Sequence, residues 1–218
     1  MPYFDEMRND QYITIAGPGM DEVTIQKSRF IGQAWPCINE EEAIKHIQHI
    51  RETARDARHH CYAYIVGENE GIMRFSDDGE PSGTAGMPML SLMRSEHIVN
   101  CCVVVTRYFG GILLGTGGLV RAYTQGCRIA LKAAGIVQME KTCFYLCEVP
   151  YSYWDSVRYM LERLPARYQD VEFGSAVSFL LLTRVSDRES VFQSLHQMLG
   201  NSFETLFEGE RYEAWTKS

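Results

Sequence analysis

Two glycine-rich segments contain the residues of this chain that are best suited to hold a ligand. The first glycine-rich segment, residues 76–86, reads Ser-Asp-Asp-Gly-Glu-Pro-Ser-Gly-Thr-Ala-Gly. The second glycine-rich segment, residues 107–123, reads Arg-Tyr-Phe-Gly-Gly-Ile-Leu-Leu-Gly-Thr-Gly-Gly-Leu-Val-Arg-Ala-Tyr. Glycine tolerates a positive φ and lets backbone N–H groups approach a ligand or a neighbouring segment. We therefore expect any specific function of the chain to be located in these two segments.

The second glycine-rich segment follows an apolar strand and is expected to lead into a helix. This arrangement binds phosphate in other proteins through aligned N–H groups and the helix dipole, and Arg107 and Arg121 would add guanidinium groups. The residues expected to contact an anion or a nucleic acid are Arg107, Tyr108, Gly110, Gly111, Gly115, Gly117, Gly118 and Arg121. The glycine spacing matches neither a P-loop nor a dinucleotide-binding loop. A second interpretation therefore stays open, in which the glycines permit tight packing and the arginines pair with Asp77, Asp78 or Glu80.

The acidic side chains of the first glycine-rich segment also allow two interpretations. The carboxylates of Asp77, Asp78 and Glu80 would suit Mg²⁺, which prefers oxygen ligands. Asp-Asp-Gly is also a common turn sequence, and Ser82 or Thr84 would then cap the helix that follows. The pattern favours the turn, and we expect all five residues to lie near the anion site. No catalytic residue, metal or cofactor is assigned; a metal-assisted enzyme acting on a phosphorylated small molecule or a nucleic acid is the alternative.

The charge balance limits the kinds of partner that the chain can attract. The 218 residues include 28 Asp and Glu against 21 Lys and Arg, a net charge of −7. Contact with RNA would therefore need a local cationic patch, because phosphate neutralisation supplies most nonspecific affinity. No apolar run approaches the roughly 20 residues that span a bilayer, and the N-terminus has no secretion signal pattern. These features predict a cytoplasmic protein that does not bind membranes.

Cysteine usage points to a reducing compartment. The seven cysteines are an odd number, and their spacing matches no zinc-binding pattern. Free cysteine usually behaves as a small buried hydrophobe. We therefore predict that most of these thiols are buried and unpaired.

The order of predicted elements divides the chain into two domains of an α+β protein, residues 1–138 and residues 139–218. In the first, Asn39 caps an amphipathic helix, and the apolar run from Ile98 to Thr106 predicts a central strand. In the second, the order β-α-β-β-α-β is typical of a ferredoxin-like domain.

Five stretches of the first domain resemble signatures of the YigZ/IMPACT family. They are residues 28–31 (Ser-Arg-Phe-Ile), 60–64 (His-Cys-Tyr-Ala-Tyr), 76–86, 104–111 (Val-Val-Thr-Arg-Tyr-Phe-Gly-Gly) and 114–123 (Leu-Gly-Thr-Gly-Gly-Leu-Val-Arg-Ala-Tyr). The resemblance covers residues 12–137 with specific motifs and the remainder more loosely. It implies an N-terminal fold like domain 2 of ribosomal protein S5 and a C-terminal ferredoxin-like domain similar to the last domain of elongation factor G.

The resemblance also implies a binding role in translation. Eukaryotic IMPACT proteins are similar only in the first domain and compete for a ribosome-associated activator of a kinase that represses translation initiation. Nucleic-acid binding has been proposed for the two-domain bacterial members. The resulting hypothesis is a non-catalytic cytoplasmic protein that binds RNA, the ribosome or a protein partner, with a monomer as a plausible state.

Overall fold

The computed structural model describes residues 10–67 and 71–215. The chain forms two compact units that meet in sequence between Gln138 and Met139. We call residues 12–138 the N-terminal unit and residues 139–215, together with residues 10 and 11, the C-terminal unit. Both units mix helices with antiparallel strands, which confirms the predicted combination of α and β structure.

The N-terminal part of the chain contains six strands and three helices among its described residues. In chain order they are β1 (Gln11–Ile15), β2 (Gly19–Ile25), β3 (Ser28–Pro36), α1 (Glu40–Thr53), β4 (His59–Val66), β5 (Ile72–Ser76), α2 (Gly86–Ser95), β6 (Cys101–Tyr108) and α3 (Gly115–Ala134). Strands β2 to β6 form one sheet in the order β2-β3-β6-β4-β5, with every pair antiparallel. The central position predicted for the apolar run is confirmed, although β6 begins at Cys101 rather than Ile98.

Side-chain alternation on β6 explains why helices cover both faces of this sheet. Val103 and Val105 point into the core formed with α2 and α3. Cys102 and Val104 point to the opposite face, where they pack with the buried side of α1. A strand that is buried on both faces is expected to be apolar at every position. Helix α1 begins as predicted, because the Asn39 side chain accepts a hydrogen bond of 2.9 Å from the amide of Glu42.

The C-terminal unit contains the predicted β-α-β-β-α-β order. Its elements are β7 (Ile136–Val149, which begins in the N-terminal unit), α4 (Tyr151–Leu161), β8 (Ala166–Phe173), β9 (Val177–Arg184), α5 (Arg188–Leu199), a short 3₁₀ turn (Gly200–Ser202) and β10 (Glu204–Ala214). Strands β10, β7, β9 and β8 are paired in this order, all antiparallel, and β1 also pairs with β7 in the same five-stranded sheet. One face of the sheet contributes side chains such as Cys147, Phe179 and Leu181 to a core with α4 and α5.

Strand β10 is longer than the expected strand over Phe203–Phe207. It continues to Ala214 through a sequence rich in Glu and Arg. The register shifts between Phe207 and Gly209, which marks a β-bulge. A bulge and charged residues are typical of an edge strand, and neither gives the apolar alternation by which strands are recognised in a sequence.

All seven cysteines are free and buried, as predicted. Burial and, to a smaller extent, the Glu42 carboxylate raise the pKa of the Cys37 thiol to about 12. Burial also raises the pKa of Cys147 to about 12. These thiols therefore stay protonated at neutral pH. Within residues 10–67 and 71–215, no helix is long and apolar enough to cross a membrane.

Candidate functional site

The second glycine-rich segment begins at the end of β6 and crosses over the turn between β2 and β3. The amide of Gly110 donates a hydrogen bond of 3.2 Å to the Oγ of Ser28, which is fully buried. A Cβ atom built on Gly110 would lie 2.0 Å from the carbonyl of Lys27. Only glycine fits this crossing. The turn itself is unusual, because Gln26 and Lys27 both have positive φ, at 45° and 67°.

Arg107 does not lie on the surface, so its expected role in a contact surface is wrong. The residue is 6 % exposed, and its Nη1 donates a hydrogen bond of 2.7 Å to Glu80 Oε1. Nη2 lies 3.4 Å from the Oγ of Ser28. The side chain at position 107 points to the same face of β6 as Val103 and Val105, because side chains alternate along a strand. Arg107 therefore connects the first glycine-rich segment, through Glu80, with the second, through Ser28 and Gly110.

Glu80 is the centre of a buried polar cluster. Its Oε1 accepts hydrogen bonds of 2.7 Å from both Arg107 and the Tyr123 hydroxyl. The ion pair is enclosed, since the Arg107 and Glu80 side chains are 7 % and 4 % exposed. Burial, followed by the Cys61 thiol and Glu80, strongly raises the pKa of Tyr123, which therefore remains a neutral donor. For Arg107, the packing interpretation is the one that the geometry supports.

Asp77 caps the first glycine-rich segment from within. Its carboxylate accepts hydrogen bonds of 2.8 to 2.9 Å from the amides of Gly83, Ala85 and Gly86. The last two amides lie at the start of α2, so Asp77 supplies the negative charge that a helix N-terminus favours. The expectation that Ser82 or Thr84 caps this helix is wrong. The hydroxyl of Thr84 instead donates to the carbonyl of Pro81 at 2.7 Å, and Ser82 is exposed.

Asp78 fastens the same segment to its neighbours. One carboxylate oxygen accepts from Arg51 and the other from the backbone amide of His60, each at 2.7 Å. The Nδ1 of His59 donates to the carbonyl of Asp78 at 2.9 Å. Asp77, Asp78 and Glu80 therefore bind three separate sets of donors. Among the described residues no group of three His, Cys, Asp or Glu side chains could hold a metal ion. This arrangement does not support the alternative of a magnesium site.

The N-terminus of α3 has none of these internal acceptors. No side chain in the described part of the chain caps it, and its first turn has no acidic residue. Gly115, Thr116 and Gly117 are exposed there, and Gly115 has a φ of 67°. Gly111 also has a positive φ, 85°, and nothing lies near the position where its Cβ would be. Gly118 is half-buried, and a Cβ there would lie 2.9 Å from the Cβ of Leu114.

Arg121 remains at the surface, in the second turn of α3. Its Nη1 lies 4.0 Å from the position of a Cβ built on Gly117. Among the described residues it has no carboxylate partner, in contrast to Arg107. Arg121 and the first turn of α3 therefore keep the positive character that was expected of the whole segment.

The second glycine-rich segment also contains exposed apolar and aromatic side chains. Phe109 is 52 % exposed and Leu113 is 85 % exposed. One face of the Phe109 ring is covered by the guanidinium of Arg107, 5.4 Å from its centroid. Tyr108 is half-buried; its hydroxyl donates to Asp56 at 3.0 Å, and Arg29 lies 5.1 Å above its ring. Burial and the hydrogen bond to Asp56 raise the pKa of Tyr108.

Two residues of the site were not identified from the sequence. Ser28 joins Arg107 to Gly110, and Lys27 is an exposed cation beside that glycine. Two-residue hairpin turns with positive φ normally contain Asn-Gly or Asp-Gly, so Gln-Lys gives no turn signal. The only available indication was that Ser28 belongs to one of the stretches with a family resemblance.

Comparison with known proteins gives several matches to one family. The model of the Impact N-terminal domain matches residues 26–131. The chain is 36 % identical over 200 residues to the IMPACT family member YvyE of Bacillus subtilis, covering 91 % of each protein. It is 42 % identical over 125 residues to the IMPACT family member YigZ of Escherichia coli, covering 56 % of this chain and 61 % of YigZ.

A mammalian protein and a solved structure also match. The rat protein IMPACT is 32 % identical over 98 residues, which are 43 % of this chain and 30 % of the rat protein. A solved structure, described as the crystal structure of an hypothetical protein, superposes with a TM-score of 0.58 at 30 % identity. That match covers 90 % of this chain and 97 % of the other. It extends over most of both chains.

Proposed function

This chain belongs to the IMPACT family, and from this membership we propose that it is a non-catalytic protein that regulates translation by binding RNA. The contact surface consists of the exposed part of the second glycine-rich segment, with Arg121 and Lys27 as cations and Phe109 as a stacking platform. Arg107 has a different role from the one expected. Its buried side chain holds the segment in place through Glu80 and Ser28.

The observation that carries the proposal is the contrast between helix N-termini within one unit. Helix α1 is capped by Asn39 and has three glutamates in its first turn, and the amides that begin α2 are bound by Asp77. At α3 the first turn contains glycine and threonine, and no acidic side chain is present. A helix N-terminus attracts anions, so an RNA phosphate would take the place that carboxylates occupy at the other two helices.

The side chains around this turn suit a single-stranded RNA. Stacking of a base on an exposed aromatic ring contributes about 1–3 kcal/mol and tolerates any base. Phe109 offers one ring face, since Arg107 covers the other. Lys27 and Arg121 would contact phosphates. Because the net charge is −7, binding depends on these local groups and falls steeply as salt is raised.

The family membership supports finer proposals about the fold and the location. We propose that residues 1–138 form an IMPACT-type domain like domain 2 of ribosomal protein S5. Residues 139–218 form a ferredoxin-like domain similar to the last domain of elongation factor G, which the observed strand order supports. A role in translation places the protein in the cytoplasm, with RNA on the ribosome as its partner.

A charge insertion in the first turn of α3 tests the function. Thr116→Glu places a carboxylate in the first turn of α3, which has no acidic residue. Gln125→Glu adds the same charge to the exposed face of the same helix. Binding of a fluorescein-labelled uridine 12-mer is measured by fluorescence anisotropy in 50 mM salt. The original protein is expected to bind with a Kd on the order of 10 μM, as is typical of nonspecific RNA contacts.

Thr116→Glu should weaken this binding at least tenfold, whereas Gln125→Glu should change it less than twofold. Phe109→Ser should weaken it about fivefold, because one stacking contact is lost. Equal loss in the two glutamate variants would show that only net charge matters and would contradict a site at α3. An absence of RNA binding by the original protein would overturn the proposal.

A further inference from the structure

The sheet of the C-terminal unit has a row of leucines on the face that its helices do not cover. Helices α4 and α5 pack on the face that contains Cys147, Phe179 and Leu181. On the opposite face Leu206 lies directly across from Leu146, and Leu146 directly across from Leu180. Leu206 is 60 % exposed and Leu146 is 44 % exposed. The leucine row crosses three adjacent strands and is about 10 Å long.

A row of carboxylates runs beside the leucines, two residues away from them on β10 and β7, and continues on β8 beyond a serine of β9. Glu204 lies directly across from Glu148, and both Glu148 and Glu172 are paired in register with Ser178. Like charges that face each other across two strands destabilise a sheet. In the described part of the chain, none of the three glutamates has an ion-pair partner, and all three are exposed. The acidic row therefore carries negative charge that the unit itself does not neutralise.

A shallow groove of about 410 Å³ lies along part of both rows and is lined by Leu146, Leu180, Glu172, Asp170 and Glu208. One cation, Arg211, also lines it. Its guanidinium lies 3.6 Å from the centroid of the Phe144 ring and donates a hydrogen bond to Glu213. Arg211 is therefore already engaged and leaves the groove acidic. Among the described residues no carboxylate cluster suits a metal ion.

We propose that the leucine row and the acidic row together form a docking surface for a basic segment of another protein. The charge of the groove determines the occupant, since exposed apolar side chains attract apolar ones and the unneutralised carboxylates require lysine or arginine. The matching segment presents a few apolar side chains in a line with basic side chains along one side. Nucleic acid is repelled by this face, which makes the surface distinct from the RNA contact proposed for the N-terminal unit.

A synthetic peptide of five lysine-leucine repeats, labelled with fluorescein, is the probe. Its binding to the full chain is measured by fluorescence anisotropy, and its location by ¹H–¹⁵N chemical-shift changes. The amide shifts should concentrate at Leu146, Leu180 and Leu206 and their neighbours. A peptide of five glutamate-leucine repeats should bind at least twentyfold more weakly, because it has the same apolar content and the opposite charge.

Two pairs of substitutions separate the apolar part of the surface from the charged part. Leu146→Ser with Leu206→Ser should weaken binding of the lysine-leucine peptide at least tenfold, while Ile38→Ser, at an exposed position of the N-terminal unit, should leave it unchanged. Glu148→Gln with Glu204→Gln should weaken it about fivefold and reduce its salt dependence. The same glutamine pair should leave the thermal unfolding midpoint equal or higher, because it removes a repulsion.

Other outcomes would overturn the assignment. Chemical-shift changes spread over the acidic surface, or unchanged affinity in the leucine variants, would show that the peptide binds only through net charge. Tight binding of the glutamate-leucine peptide would contradict the basic occupant. A dimer in sedimentation velocity that is abolished by Leu146→Ser with Leu206→Ser would assign the leucine row to a second copy of this chain instead.

Discussion

The two glycine-rich segments differ in where their polar groups are satisfied. In the first, Asp77 binds three backbone amides, and Asp78 binds Arg51 and the amide of His60. In the second, glycine, threonine and apolar residues replace the carboxylates, and the first turn of α3 has no acidic residue. The acidic residues near a glycine loop thus determine whether its amides serve the fold or remain available to a ligand.

A shared anchor connects these two segments. Arg107 reaches Glu80 in the first and, through Ser28, Gly110 in the second. We call the first glycine-rich segment, whose amides are bound internally, the closed segment, and the second the open segment. Through this anchor the closed segment supports the open segment from inside the unit. Substitutions at the anchor, in the closed segment and in the open segment each test this comparison. Their expected effects on the free energy of unfolding decrease in that order.

Loss of the anchor should have the largest effect. Arg107→Ala leaves Glu80 buried without its cation, and breaking one partner of a buried pair costs about 3–5 kcal/mol in free energy of unfolding. Native-state hydrogen exchange of the β6 amides measures this loss. Arg128→Ala breaks an ion pair with Glu96 at a similar distance, 2.8 Å, but on the surface, and should cost less than about 1 kcal/mol. Equal losses would show that Arg107 is not an internal anchor.

Opening the closed segment should have a smaller effect. Asp77→Ala removes the acceptor of three amides and should lower the free energy of unfolding by about 2 kcal/mol, the upper end for a helix cap. The amides of Ala85 and Gly86 should lose protection in hydrogen exchange. Asp21→Ala, which removes an acceptor for one exposed neighbouring amide, is the control and should have little effect. A loss below about 0.5 kcal/mol for Asp77→Ala would mean that the segment closes without its carboxylate.

Closing the open segment should stabilise the fold slightly. Thr116→Glu places a negative charge in the first turn of α3 and should raise the free energy of unfolding by about 0.5 kcal/mol. Gln125→Glu, in the middle of the helix, should give no such gain. Urea denaturation measures both. Greater stability combined with weaker RNA binding would distinguish a site from a structural turn; lower stability would indicate that the first turn of α3 is already satisfied.

The smallest effect concerns pH and His60, a buried histidine on β4 next to the closed segment. His60 is buried, and its Nδ1 lies 3.1 Å from the Thr106 hydroxyl. Burial lowers its pKa, although the Asp78 carboxylate acts in the opposite direction. The imidazole of residue 60 therefore takes up a proton at a higher pH in the unfolded chain than in the folded protein. The stability that the neutral His60 side chain contributes is complete above about pH 6.5 and is lost as the pH falls. The thermal midpoint should fall less between pH 7.5 and 5.5 in His60→Gln than in the original protein; an identical fall would contradict this.

The main architecture of the N-terminal unit was predictable because its signals are local. Asn39 caps α1, and the unbroken apolar run of β6 identifies the central strand. The edge strand β10 was less predictable because a bulge and charged residues mask its alternation. Local patterns identify elements that are buried or capped by near neighbours in the sequence.

The two glycine-rich segments could be located from the sequence, but the environments of the two arginines could not. Arg107 and Arg121 both flank the glycines, yet one is buried against Glu80 and the other is exposed. That difference depends on a strand pairing and on the distance between residues 80 and 107, which no local spacing reveals. The role of Asp77 was missed for a similar reason, since it caps a helix that begins nine residues later.

The buried thiols give the protein an internal reporter of its own opening. A thiol-modifying reagent reacts with the thiolate, which these cysteines do not form while they remain buried. Five of them lie in the N-terminal unit, and Cys143 and Cys147 lie in the C-terminal unit. Mass spectrometry after timed alkylation would therefore show which unit unfolds first, without the introduction of any label.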